Sequence, residues 1–493
     1  MFRGATVRQH RRGVALSRAS PEARCEPGTR PPKGLAHVHF DIVIIGAGSG
    51  NMVADSRFDD KSVAIVEEAA FGGTCLNVGC IPSKMFAYTA DVVDTVVGAP
   101  NFDVPVDQDS VSARWPDARD RIFGRLDRDA RDARRGREEA PNITVLTGTA
   151  RFVAGKSLRV ELADGSTTDV SGDRIVVAAG SRPVVPDALA GDDIGCHTSD
   201  SIMRIDEAPT RLAVLGGGYI GAEFAHIFSR FGSAVTIIEP SKTLLSGHDE
   251  TITDTFTTVS SARFDLRLEN SVTAARRTAD GIVLSLENGD TLTVDTVLVA
   301  TGRTPNTDRL DCAAAGLDMD DDGHLLTDAQ QRTNVDGIFA LGDICASVPL
   351  KHVANREAKV VAHNLADPDH FLRMDDDLVP SAVFTIPQIA SIGKTEQQLR
   401  DSNTAYVVAQ KKYSDVAFGW AIQDDTGLCK ILADPDSGRI LGAHILGPQA
   451  ATMIHILSVA MHFDISAQDL ARRPFWTHPA LPELIENTLL DIH

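Results

Sequence analysis

The chain has 493 residues, too many for one hydrophobic core, and should divide into about three or four domains. It is 43% hydrophobic and 24% charged, as globular proteins are, and no apolar run approaches the roughly 20 residues needed to span a bilayer. Its net charge is −20, and an acidic body repels nucleic acid phosphates, so neither a membrane nor a nucleic acid is an expected partner.

The charge is uneven along the chain. Residues 1–39 carry eight basic side chains against Glu22 and Glu26, a net +6, which leaves −26 for the remainder. This segment has no apolar periodicity and is rich in Arg, Gly, Pro and Ser. Three readings compete: a transit peptide, a disordered tail, or an extension upstream of a true start near Val38. The last two are favoured together, with the first strand expected to begin at Phe40.

Five short apolar runs each end in glycine: 40–45 before Gly46, 175–179 before Gly180, 212–215 before Gly216, 297–301 before Gly302, and 338–341 before Gly342. Their length and β-branched content predict buried parallel strands. At 46 and 216 the glycine opens a dinucleotide fingerprint expected to lead into a helix. In the first, Gly46 permits the turn and Gly48 lets backbone N–H groups approach a pyrophosphate, while Glu67 ends the next strand and suits a ribose. Asn51 stands at the third glycine position, a departure expected to loosen helix–strand packing. The second fingerprint keeps all three glycines, Gly216, Gly218 and Gly221, and its paired acid is Glu239. A carboxylate there accepts from a ribose 2′-hydroxyl and repels a 2′-phosphate, which favours NADH over NADPH.

Between the fingerprints, residues 117–139 are dense in Arg and Asp and predict a long solvated helix. Beyond 377 the pattern changes to strand-like segments at 382–384, 388–392, 405–410, 428–432 and 440–446, then an apolar helix over 450–463. That reads as a separate α+β domain of the kind that pairs subunits.

Seven cysteines are too few for a secreted disulfide scaffold, so a reducing, cytoplasmic setting is expected. Cys75 and Cys80 alone are close, within the stretch from Gly72 to Lys84. Zinc would need two further ligands, and no second Cys/His pair has metal-site spacing, so no metal is expected. A redox pair remains: one thiolate attacks a substrate disulfide, the other resolves the mixed disulfide, and a flavin resets the pair.

This stretch resembles the active-site signature of the flavoprotein disulfide reductases, the family of glutathione reductase and dihydrolipoamide dehydrogenase, and the resemblance runs from about Phe40 to the C-terminus. It implies FAD and NAD(P)H as cofactors. Cys75 would be the thiol facing substrate and Cys80 the thiol lying against the flavin. Lys84 would stand near the flavin, paired with Glu223, and Tyr219 would cover the nicotinamide pocket. Residues 333–343 resemble the second flavin motif, where Asp343 would hold the ribityl chain, and residues 300–306 resemble a linker motif. Thr74 in the signature and Gly302 in the linker motif count with the cofactor-binding residues. Near the end, His478 is followed five residues on by Glu483, across prolines that fix the turn, so the carboxylate can orient the imidazole. In the family this histidine comes from the partner subunit and protonates the leaving thiol, which implies a homodimer.

The implied architecture is α/β, with two Rossmann-like dinucleotide-binding domains and a C-terminal α+β dimerisation domain. FAD binding would fall to 40–184, NAD(P)H binding to 185–305, a return to the FAD-binding and central part to 306–376, and dimerisation to 377–493. Within the family, segments 46–51, 71–86, 197–205, 350–365, 414–421 and 476–489 resemble the branch that reduces mycothione, the disulfide of mycothiol. That branch is expected to use NADPH, with an arginine where this chain has Glu239. The alternative is a dihydrolipoamide dehydrogenase, which Glu239 suits. A non-catalytic subunit is disfavoured by the intact cysteine pair, Lys84 and His478. A mercuric reductase would want cysteines closer to the end than Cys429.

Overall fold

The computed structural model describes residues 23–24 and 37–492, apart from 192–193, 346–347 and 376. Five parallel strands form its first sheet, in the order Ile143–Ala154, Val63–Glu67, His37–Ile45, Thr167–Val177 and Ile338–Ala340. A second parallel sheet repeats the plan with Asp265–Leu268, Ala234–Glu239, Arg211–Leu215, Thr296–Val299 and His197–Thr198. All five glycine-ended runs lie in these two sheets. Their core positions, such as Val43, Ile44, Val214 and Leu298, are fully buried, as parallel strands covered on both faces require.

The chain passes between the two sheets through an antiparallel pair, Ser181–Pro183 against Arg303–Pro305. Two antiparallel additions were not legible in the sequence. Ser157–Leu162 pairs with both its neighbours in the first sheet, and Val272–Thr278, Gly281–Leu286 and Thr291–Val294 form a small three-stranded sheet. The C-terminal region is a five-stranded antiparallel sheet, in the order Ser381–Val383, Ile389–Gly393, Ile440–Leu446, Leu428–Ala433 and Val407–Lys412. No helix among the described residues is long and apolar enough to cross a membrane.

Five helices position the site: α1 (Cys80–Gly98), α2 (Trp115–Glu139), α3 (Tyr219–Arg230), α4 (Lys351–Ala366) and α5 (Ala450–His462). The long charged helix is present as α2, but its N-terminal half is not solvated. Trp115, Ala118, Ile122, Phe123, Leu126 and Ala130 form a buried stripe at helical spacing, which the intervening Arg and Asp residues hide in the sequence. Trp115 stacks between Phe86 of α1 and Phe228 of α3, with ring centroids 4.6 Å away on each side. Each such stack is worth about 0.5–1.5 kcal/mol beyond its buried area. The wedge locks α1 onto α3, and His226 to Asp91 at 2.8 Å ties the same helices.

Three further expectations are corrected. The first strand begins at His37, because Val38 is buried and the imidazoles of His37 and His39 bond to Ser171 Oγ at 2.9 and 2.8 Å. A two-residue strand, Ala23–Arg24, also pairs with Val38 and His39. The rest of the expected N-terminal tail lies outside the described residues. The first fingerprint opens no α-helix, only the 3-10 turns Gly50–Met52 and Ser56–Phe58. Asn51 does not loosen the packing. Gly50, one position earlier, makes the close approach: a Cβ there would stand 2.7 Å from the Ala178 Cβ. Asn51 is instead held by Arg137 of α2, whose Nε donates to its Oδ1 at 2.7 Å.

Candidate active site

The signature folds as a short helix, Gly73–Asn77, followed by α1, so Cys80 is the first residue of a 19-residue helix. Buried Asn77 fixes the turn between the cysteines, its amide donating to the carbonyls of Phe71 at 2.9 Å and Gly73 at 3.0 Å. Losing such a buried side chain's bonds costs roughly 1–3 kcal/mol. Both cysteines are free thiols, and they oppose each other electrostatically. The hydrogen bond from the Cys75 thiol pulls Cys80 down to about 7 against the effect of burial, with help from the Lys84 ammonium. The same hydrogen bond pushes Cys75 up, burial adds to this, and Lys351 counteracts part of it. The direction for the reduced pair is thus toward a more acidic Cys80 and a less acidic Cys75.

Lys84, one turn into α1, is ion-paired to Glu223 of α3. Glu223 is 4% exposed, and its other oxygen accepts from the Phe384 N–H at 3.0 Å. The Lys84 ammonium lies 5.0 Å from the centre of the Phe384 ring. The helix packing around Trp115 thus delivers Lys84 and Glu223, far apart in sequence, to one point. Alkylation of the reduced protein by iodoacetamide should follow Cys80 with a midpoint near pH 7. Lys84→Met removes a positive neighbour from the thiolate, so the midpoint should move to higher pH; an unchanged profile would show that Lys84 does not act on Cys80.

Gly46, Gly48, Glu67, Thr74, Cys75, Cys80, Lys84, Tyr219, Glu223 and Asp343 all line one cavity of about 1210 Å³. A second cavity of about 380 Å³, against the C-terminal sheet, is lined by Gly218, Tyr219 and Glu239 among others. Gly216, Gly221 and Gly302 line neither. A Cβ on Gly216 would overlap the Ala300 carbonyl and one on Gly221 the Gly216 carbonyl, so both serve the turn and its packing.

One polar device recurs at the glycine turns. Glu67 accepts from the Ala47 N–H, Glu239 from the Gly217 N–H and Glu357 from the Gly342 N–H, each at 2.6 Å. Glu357 is buried on α4 and was not apparent in the sequence. Nor was Ser181, which donates to Asp343 Oδ2 at 2.8 Å and accepts from Arg303 Nε at 2.8 Å. The large cavity, with a turn at Gly46 where a Cβ would overlap the Ala178 carbonyl oxygen and with the Glu67 carboxylate fixed at a strand end, fits a dinucleotide such as FAD.

His478 and Glu483 are bonded to each other, Nδ1 to Oε1, at 2.6 Å, and this bond holds the Glu483 carboxyl below its usual range. The imidazole is 70% exposed and does not line the cysteine cavity of its own protomer.

Residues 40–358 match the model of the pyridine nucleotide-disulphide oxidoreductases, and residues 379–489 match that family's dimerisation domain. The chain belongs to this family. Membership makes it a flavoprotein disulfide reductase that works with FAD and a pyridine nucleotide, and the dimerisation domain supports a homodimer. It is 44% identical to mycothione reductase of Mycobacterium tuberculosis over 92% of this chain and 99% of that one. It is 33% identical to dihydrolipoyl dehydrogenase of Haemophilus influenzae, over 91% and 94%. Among solved structures, the HOCl-induced flavoprotein disulfide reductase RclA of Escherichia coli superposes with a TM-score of 0.81 at 27% identity, covering 92% of this chain and 100% of that one.

Proposed function

We propose that this oxidoreductase reduces mycothione to two molecules of mycothiol with NADH, through FAD and the Cys75–Cys80 pair. The observation that carries the substrate is the 44% identity to a mycothione reductase along nearly the whole chain, against 33% to a dihydrolipoyl dehydrogenase. When bound, NADH and FAD supply the two electrons that convert the Cys75–Cys80 disulfide into a thiol and a thiolate. Lys84, held by Glu223, stabilises the negative charge on Cys80. His478 of the partner subunit removes the proton from Cys75. The Cys75 thiolate attacks one sulfur of mycothione, forming a mixed disulfide as the substrate S–S bond breaks, and the departing thiolate takes that proton back from His478 of the partner subunit. Cys80 then attacks Cys75, closing the intrachain disulfide and releasing the second mycothiol, which is protonated in turn. The balance is one mycothione, one NADH and one proton to two thiols and NAD.

The NADH preference rests on Glu239. Its carboxylate is fixed by the N–H groups of Gly217 at 2.6 Å and Ser241 at 2.8 Å, where it would meet a 2′-phosphate. Exposed Lys242 is the only cation the following loop offers before Arg263. The paired strands Ser181–Pro183 and Arg303–Pro305 support domain boundaries near 184 and 305. A reductase of this kind suits the reducing cytoplasm.

Steady-state turnover with mycothione and with dihydrolipoamide, using each nucleotide, tests both parts. Mycothione should be reduced, with kcat/KM for NADH at least about tenfold that for NADPH, or roughly 1.4 kcal/mol. The second reading, dihydrolipoyl dehydrogenase, is favoured by Glu239 itself. Turnover of dihydrolipoamide with NAD in place of mycothione would establish it, and a larger kcat/KM for NADPH would remove the role given to Glu239.

A further inference from the structure

The two glycine fingerprints are followed by stretches of nearly equal length that fold differently. Beyond Gly216 the chain forms the 12-residue α3; beyond Gly46 it forms only two three-residue 3-10 turns. The first site therefore lacks the aligned peptide dipoles that put about half a positive charge at a helix N-terminus, the usual attraction for a dinucleotide pyrophosphate.

Two cations from distant parts of the chain meet this loop instead. Arg137 of α2 spends its guanidinium on the loop's own atoms: Nε bonds to Asn51 Oδ1 at 2.7 Å, Nη1 to the Ala54 carbonyl at 2.7 Å and Nη2 to the Asn51 carbonyl at 2.6 Å. A fork so committed sets the shape of a loop that has no helix to shape it. Lys351 is placed differently. It is the first residue of α4, and its Nζ donates to Ser49 Oγ at 2.8 Å; Ser49 Oγ in turn donates to Asn355 Oδ1 at 3.2 Å. Lys351 and Ser49 line the large cavity together with Gly46 and Gly48. An ammonium has three donors, and among the described residues Ser49 is the one protein acceptor found for Lys351, so donors remain for a ligand. Its charge adds to that of the free N–H groups at the start of the 16-residue α4.

We propose that Lys351 binds the FAD pyrophosphate at the first glycine loop, a side-chain cation in place of the missing helix dipole, on a loop whose shape is set by Arg137. The inference rests on the assignment of the first fingerprint to FAD. It gives Lys351 and Arg137 work in cofactor retention, apart from the thiol chemistry.

The test is reconstitution of the full-length apoprotein with FAD, read by quenching of flavin fluorescence. Lys351→Met should raise the FAD Kd about tenfold or more, the scale of a lost charge-assisted contact, while Lys351→Arg stays close to wild type. Wild-type affinity should fall with added salt, and Lys351→Met should flatten that dependence. Arg137→Met should also raise the Kd. NADH binding to the same apoproteins, at the fingerprint that has its helix, should be unchanged in all three variants. FAD affinity unaltered in Lys351→Met would overturn the proposal, including where the Cys75 alkylation profile shifts instead and shows the lysine to serve the thiol. A wild-type protein that binds no FAD would remove the flavin assignment itself.

Discussion

A Cys80→Ser variant is expected to lose multiple turnover by about 10⁴-fold or more, the scale on which groups acting as one catalytic unit fail together, while accumulating one equivalent of a mixed disulfide on Cys75. The proton distribution in the reduced pair gives the reason. The neighbouring Cys75 thiol lowers Cys80 to about 7, and the same pairing pushes Cys75 up. With serine at 80, the acceptor thiolate and its charge are gone, so the Cys75 thiol moves back toward its ordinary range and ionises more readily. First attack on the substrate disulfide survives. Resolution does not, because a serine hydroxyl cannot displace a thiol at neutral pH. Intact mass after addition of mycothione should show the protein plus one mycothiol, removable by dithiothreitol. Recovery of unmodified protein only would overturn the assignment of Cys75 as the attacking thiol.

Much of the scaffold was legible because its signals are local. A β-branched run ending in glycine predicts a buried parallel strand, and all five such runs lie in the two parallel sheets. The C-terminal strands fell within two residues of their observed limits, the last of them, Ile440–Leu446, without error. The helix expected after Gly46 failed for a reason visible in composition. Its stretch holds Asn51, Asp55, Ser56, Asp59 and Asp60, whose short polar side chains compete for backbone groups, and Asp55 does so by accepting from the Arg57 N–H at 3.0 Å. The corresponding stretch of α3, with Ala222, Glu223, Phe224, Ala225 and Ile227, offers no such competition.

What stayed hidden is the polar support, because each member is ordinary where it stands and acquires meaning only from a partner far along the chain. Arg137 reads as one more arginine on a charged helix until it meets Asn51. Lys351 is one residue of the 350–365 stretch, with no role of its own until it meets Ser49. Glu357 reads as a surface glutamate, yet it is 4% exposed and anchors the turn at Gly342. The redox signature was legible as chemistry. The electrostatic division between its two thiols was not, since that depends on which one donates to the other.

The second large effect concerns His478. Replacing it with alanine should lower turnover by about 10²–10⁴-fold, the range for loss of a positioned acid–base group. It serves twice in the proposed cycle, taking the proton that Cys75 holds in the reduced pair and returning it to the leaving thiol. Within one protomer this imidazole is 70% exposed and outside the cysteine cavity, its Nδ1 committed to Glu483 at 2.6 Å. With Nδ1 so committed, Nε2 has no protein hydrogen-bond partner among the described residues, as suits a site completed across a two-fold interface. Subunit mixing decides the matter. Cys75→Ser and His478→Ala homodimers should each be nearly inactive. A hybrid dimer holds one site with intact Cys75, Cys80 and the other subunit's His478, and one site lacking both. Random exchange of equal amounts should therefore restore about one quarter of wild-type activity, because half the dimers are hybrids with one working site each. If His478 acted on the cysteines of its own subunit, no hybrid would contain a complete site and mixing would restore nothing.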